Sequence, residues 1–412
     1  MDVLAGLVHK SILTAGNCGT RTRYQLLETI RQYGQQQLHD LGQDTALRRA
    51  HRDYYQEMTT RAAAQWCSPQ ETEWLSQLQQ ELPNLRAALD FCLTQPGQAQ
   101  AGLAIASNLT RARCWFFCST LGEGRHWLER TFTSDSHPPH PLRAGAAALL
   151  AWFALVQGDQ PAADASLADC RDLARQLGDG DTLPALIFVE GAHALLARGD
   201  PQAIPLLAQA RDQFRQGGEV GDAHMATMLW AMAAIFLGDR DAAVAAGNEY
   251  LAEAEAYGAA WAYSWALWCV GLTELRHGEP HSAAVAFRDS LRRQRDISDS
   301  WGPVWGIEAL AWTAAATGQH HHAAELLGAA HTLRQRTGVA LDGLRPLHDA
   351  HTAADRSVRH MLDAQAYATA FEHGAETEDG IRLALDGMAS GPQQAAGTRI
   401  SGEPGCRDVR RV

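Results

Sequence analysis

A step of 40 residues recurs through the middle of this chain, and it constrains the fold more than any single motif does. Gly178, Gly218, Gly258, Ser298 and Gly338 each stand 40 after the last, and a second set of turns falls about half a period away, at Gly158-Asp159, Gly199-Asp200, Gly238-Asp239, Gly278-Glu279 and Gly318-Gln319. Just after these lies an alanine column, Ala163, Ala203, Ala243, Ala283 and Ala323; further on Leu167, Leu207, Phe287 and Leu327 line up, with Gly247 the exception. Trp261 and Trp265 return as Trp301 and Trp305. A single helical hairpin cannot bury its apolar face, so like hairpins stack and each covers its neighbour. Glycine ends such helices because it tolerates the left-handed backbone past a helix terminus. Small alanines early in the second helix let backbones approach closely.

The pattern predicts an all-α fold: a tetratricopeptide-like α-solenoid of helical hairpins, period about 40, with helices of roughly 14 to 18 residues and each about 25 Å long. The 412 residues leave room for appendages. A hydrophobic content of 46% argues for a packed core, and a net charge of −12 argues against a surface built to neutralise phosphates. Eight cysteines with no Cys-x-x-Cys pair fall mostly inside apolar runs, where a free thiol is a small hydrophobe. With no basic-then-apolar leader, a reducing cytoplasm is expected. The apolar runs Ala144 to Val156 and Ala259 to Leu272 are too short to span a bilayer and read as buried helices.

In chain order, residues 1–41 read as a helix over Val3 to Ile12, a turn over Thr14 to Thr22, a strand at Arg23 to Leu27 and a helix from Glu28 to Leu41, which is the rear part of a winged-helix domain. Residues 42–132 are a helical linker with first irregular repeats; there Trp74, Leu78, Leu82, Leu85 and Leu89 recur at core spacing, and Pro83 opens a second helix. Residues 133–141 form a loop whose His137 and His140 are read as solvated. Repeats occupy 142–340, capping helices 341–388, and 389–412 is an apolar-poor, disordered tail.

Several of these stretches carry a resemblance. The run Leu7-Val8-His9-Lys10-Ser11-Ile12-Leu13 with Tyr24-Gln25-Leu26-Leu27-Glu28-Thr29-Ile30-Arg31-Gln32-Tyr33 is similar to a junction in actinobacterial LuxR-type (STAND) transcriptional regulators, of the AfsR- and maltose-regulator-like kind. Pro83-Asn84-Leu85-Arg86-Ala87-Ala88-Leu89, Gly122-Glu123-Gly124-Arg125-His126-Trp127-Leu128-Glu129 and Ala323-Ala324-Glu325-Leu326-Leu327-Gly328-Ala329-Ala330 continue the match, from about residue 4 to 386. The resemblance implies a helical sensor array that binds an inducer or partner and biases a switch ATPase. That ATPase would normally precede the winged helix, with a DNA-binding helix-turn-helix after the array.

Neither flanking activity is legible here. A phosphate loop needs glycine-rich amides with a lysine, and the only lysine, Lys10, sits in no such loop. After Gly387 too little chain is left for a DNA-reading domain of about 60 residues. No Gly-x-Ser-x-Gly, His-Glu-x-x-His or Gly-x-Gly-x-x-Gly occurs, so the chain is not expected to be an enzyme or to hold a cofactor. His320-His321-His322 sits at a turn with side chains diverging, so no metal is expected. What remains is a surface. The first helix of each pair tends to line the concave side, and Trp261, Trp265, Trp301 and Trp305 are the candidate ligand- or partner-binding residues; repeat-packing core is the other reading, favoured for at least half of the tryptophans on these helices, and Trp261 and Trp301, near helix starts, are the ones expected to be exposed. The occupant of that groove would be a protein segment or a small-molecule inducer; self-association is left open, and neither direct nucleic-acid or ATP binding nor a membrane is expected. Two readings follow: the sensor region of a LuxR-family regulator, or a stand-alone protein-interaction scaffold. In the second, half a winged helix would leave Leu4, Leu7 and Ile12 poorly covered.

Overall fold

A computed structural model describes residues 2–18, 21–178 and 183–387. The chain enters as helix α1 (Asp2–His9), an antiparallel hairpin of β1 (Leu13–Cys18) and β2 (Arg21–Leu26) with Leu13 opposite Leu26, and helix α2 (Glu28–Asp40). The first arm of that hairpin occupies the stretch read from sequence as a turn. Its Gly16 and Asn17 are poor strand formers, and pairing with β2 holds them extended. Helices α3 (Asp44–Ala64), α4 (Glu71–Thr94), α5 (Ala99–Arg111), the short α6 (Cys114–Phe117) and α7 (Leu121–Ser134) follow. Pro83 does not open a helix: it lies inside the single 24-residue α4. Pro83 is on the exposed face, where the backbone carbonyl it leaves unpaired can meet water, while Leu78, Leu82, Leu85 and Leu89 hold the opposite face in the core.

The array then runs through five hairpins: α8 (Pro141–Val156) with α9 (Gln160–Leu177), α10 (Pro184–His193) with α11 (Ala203–Gln216), α12 (Val220–Leu237) with α13 (Arg240–Tyr257), α14 (Ala260–His277) with α15 (Pro280–Asp296), and α16 (Gly302–Ala316) with α17 (His320–Thr337). Most of these helices have the expected length; α10 is shorter and continues as a π-helical turn, Ala194–Arg198. Every member of the alanine column has no exposed surface, and Leu167, Leu207, Phe287 and Leu327 are buried beside it. The 40-residue register is a backbone register as well. Gly178, Gly218, Gly258 and Gly338 have φ of 82°, 74°, 63° and 70°, and Ser298 takes the same left-handed turn at 59° despite its Cβ. Among the described residues one helix, α12, is long and apolar enough to cross a bilayer by length and composition, and it is mostly buried within the array.

Helices α18 (Arg345–Met361), α19 (Ala364–Glu376) and α20 (Gly380–Asp386) complete the described chain; the tail expected at 389–412 lies outside the described residues. They close the array on itself. A Cβ on Gly158, in the first hairpin's turn, would stand within 3.4 Å of Asp342 and Ala340, and one on Gly343 would stand 2.8 Å from the Gly158 Cα. Only two glycines allow that approach of turn to loop. Beside it the Arg345 Nη1 donates to the Arg198 carbonyl at 3.2 Å.

Candidate functional site

The concave side of a curved array is where a ligand groove is expected, and here that side is filled. Trp261, Trp265 and Trp305 are each 2% exposed and Trp301 is 6% exposed, so the expected exposure of Trp261 and Trp301 is corrected. The covering comes from the N-terminal helices. Trp66, after α3, packs on Trp261 at 5.9 Å between ring centroids; Phe117 of α6 lies 6.3 Å from Trp261, and Phe116 meets Trp301 edge-on at 5.2 Å. Within the array Trp261–Trp265, Trp265–Trp301 and Trp301–Trp305 continue the cluster at 5.9, 5.1 and 6.1 Å. Rings at these separations attract beyond the area they bury. Between Trp152, Trp265, Trp268, Trp301, Trp305 and Leu347 a slot of about 30 Å³ remains, room for a water or two. The four candidate tryptophans are thus packed into the interior and do not line a broad groove surface.

A buried carboxylate fixes this docking. The first N–H groups of a helix have no partner of their own, and a side chain must supply one when they are buried. At α16 Asp299 does so: its Oδ1 accepts from the backbone N–H groups of Trp301 at 2.9 Å and Gly302 at 3.1 Å. One repeat earlier the same position is Ala259, which offers no side-chain acceptor. There Glu71, the first residue of α4, reaches across 190 residues of sequence and its Oε1 accepts the Trp261 N–H. Glu71 has no exposed surface. Burial pushes its carboxyl up to about 7, against the lowering effect of the Trp261 N–H, and burial pushes Asp299 up to about 6. The N-terminal helices thus supply the cap that the repeat lacks.

An opening of a different kind lies at the edge of this docking. A cavity of about 290 Å³ is enclosed by both parts of the chain: Ser107, Asn108, Arg111 and Arg113 come from α5 and the turn after it, and Leu142, Trp152, Phe188, Phe214 and Met225 come from the first three hairpins. At its rim Arg111 bonds Asp222 through Nε at 2.8 Å and Nη2 at 2.5 Å, and reaches Glu219 at 3.3 Å. Arg113 is different. It is 2% exposed, sits at a left-handed φ of 58°, and donates through Nη1 to the Thr110 carbonyl at 3.2 Å. Among the described residues it has no ion-pair partner, and its Nε has no acceptor. Burial pulls its guanidinium below the ordinary value. None of the cavity residues was singled out from sequence. The signal available was two arginines, 111 and 113, leading into the apolar run Cys114-Trp115-Phe116-Phe117.

Other clusters are structural. His137 and His140 are not free in solvent: Asp135, with its side chain buried, is bonded by His137 Nδ1 at 2.6 Å and His140 Nε2 at 2.8 Å and so pins the loop before α8. The three consecutive histidines open α17 and two of them face Glu325. No group of three or more His, Cys, Asp or Glu among the described residues could hold a metal ion. Glu308 joins the last helices, accepting from Trp312 Nε1 at 3.1 Å, from His351 at 3.0 Å and from Arg334.

No family model matches this chain. It is similar to a "Putative HTH-type transcriptional regulator" of Mycobacterium tuberculosis (strain H37Rv) and to its counterpart in Mycobacterium bovis, with 29% identity in each across an alignment of 309 residues that takes in 62% of this chain and 34% of the relative. The chain therefore spans about a third of the length of the curated relatives it matches.

Proposed function

We propose that this chain is the ligand-sensing helical-repeat region of a cytoplasmic LuxR-type, STAND-like transcriptional regulator, with the helix–hairpin–helix at residues 2–40 as the rear of a winged helix. The observation that carries the reading is the 290 Å³ cavity shared between the N-terminal helices and the array. A molecule bound there touches both bodies, so its binding energy changes how firmly they are docked, and a difference in docking is what a switch upstream of α3 can read. The relatives being HTH-type regulators fits that role, and neither catalysis nor direct ATP or DNA binding is assigned to this chain.

The alternative, a stand-alone scaffold that takes a protein segment into its concave groove, loses support because Trp66, Phe116 and Phe117 already occupy that face. Thermal unfolding of the full chain in the presence of fractionated small molecules from the source cell, paired with hydrogen exchange, separates the two. The sensor reading expects one fraction to raise the melting temperature and to slow exchange in α4, α5 and α14 together. A chain indifferent to every small-molecule fraction would favour the scaffold.

A further inference from the structure

The cavity's wall shows which chemistry it would take. Three of its buried polar atoms lack a hydrogen-bond partner: Arg113 Nε, Trp152 Nε1 and Ser107 Oγ. All three can donate, and the first two can do nothing else. The carboxylates at the rim, Asp222 and Glu219, are held by Arg111. A buried donor without an acceptor is costly, and Asp222, the strongest opposing charge, acts on Arg113 without an ion-pair contact and leaves its Nε without an acceptor. The remaining wall is apolar, from Leu142 and Leu149 to Phe188, Phe214 and Met225.

Resting on the reading of this cavity as the ligand site, we infer that it takes an amphipathic organic anion, with a carboxylate head against Arg113 and an aromatic or branched apolar body between α8, α10 and α12. The head supplies the acceptor that Arg113 lacks, and Trp152 and Ser107 are the further donors in the same wall. Burial holds Glu219 above the ordinary carboxyl value, with Arg111 opposing and Asp222 adding to the rise.

Titration calorimetry on the full chain tests this with three probes of one shape: 2-naphthoate, 2-naphthamide and 2-naphthylmethylammonium. A charge-assisted hydrogen bond predicts that naphthoate binds roughly 10- to 100-fold tighter than the amide, with the ammonium weakest. Arg113→Met should bring naphthoate down to the level of the amide. That variant is expected to fold, because it replaces an unpaired buried charge with an apolar chain of similar length. Gly145→Leu serves as a second variant: a Cβ on Gly145, in α8 at the cavity wall, meets nothing within 4 Å, so the larger side chain fills the space without a clash at its root and should block all three probes. If amide and naphthoate bind wild type alike, or Arg113→Met keeps full affinity for naphthoate, the anion class is wrong while the cavity stands. If no probe binds, or Gly145→Leu binds as wild type does, the cavity itself is not the ligand site.

Discussion

The helix–hairpin–helix at residues 2–40 and the array at 141–337 answer the same problem, how to cover an apolar face, in opposite ways. In the array each hairpin is covered by its neighbours, and the space between its inner helices is closed by aromatic rings from the N-terminal helices. In the leading unit α2 buries no residue, and Val3, Leu4, Leu26, Leu27 and Tyr33 are exposed. Leu7 and Ile12 are half-buried. The unit is tied to the rest through Arg23, which bonds Glu81 at 2.9 Å and the Gln80 carbonyl at 3.0 Å. Burial, and with it stability, is therefore concentrated where the repeats and α3 to α7 meet. The leading unit is an appendage whose apolar face is available to another body.

Substitutions break this comparison in order of size. Replacing Trp265 or Trp301 by alanine removes a fully packed indole and should cost about 3–5 kcal/mol in urea unfolding. Tyr33→Ala in α2 should stay within about 0.5 kcal/mol. Equal losses at the two sites would erase the distinction.

The second effect is pH-dependent. The folded-state pKa of Glu71 lies above its ordinary value of 4.5, near 7, so its contribution is fully present below about pH 4.5 and is lost as pH rises through about 7. The difference between wild type and Glu71→Gln should reach about 3 kcal/mol at pH 8 in favour of the variant, and vanish near pH 4. Asp299, raised in the same direction, and His351, lowered to about 4 by burial with Arg334 adding, are present in both proteins and cancel in that difference. A pH-independent difference would place Glu71 outside the docking.

Smaller still, Ser298→Gly should stabilise by about 1 kcal/mol, because glycine meets the left-handed turn without the Cβ penalty. Arg23→Ala should move global stability by less than about 1 kcal/mol, yet speed amide exchange in the β1–β2 hairpin.

Much of the array was legible in the sequence, since stacked hairpins write their period into turns and small residues at fixed spacing. Even the register of left-handed turns follows from Gly178 through Gly338. What periodicity cannot reveal is the partner of a buried face. The tryptophans of α14 and α16 satisfy an exposed-groove reading and a packed-core reading equally well, and the choice depends on Trp66 and Phe116, far away in the chain and carrying no repeat signal. The Glu71 cap was hidden for the same reason, though Ala259 standing where Asp299 stands one repeat later was a visible vacancy. Arg113 was passed over because an arginine usually means surface. Its burial follows from the left-handed turn that carries it into the interior.

The claim on which all of this rests is that the N-terminal helices close the concave face, and a double-mutant cycle between Trp66→Ala and Trp261→Ala measures it most directly. Packed rings 195 positions apart in sequence should show a coupling of about 1 kcal/mol in the free energy of unfolding. Strictly additive losses would mean that the two rings do not meet and that the groove stands open.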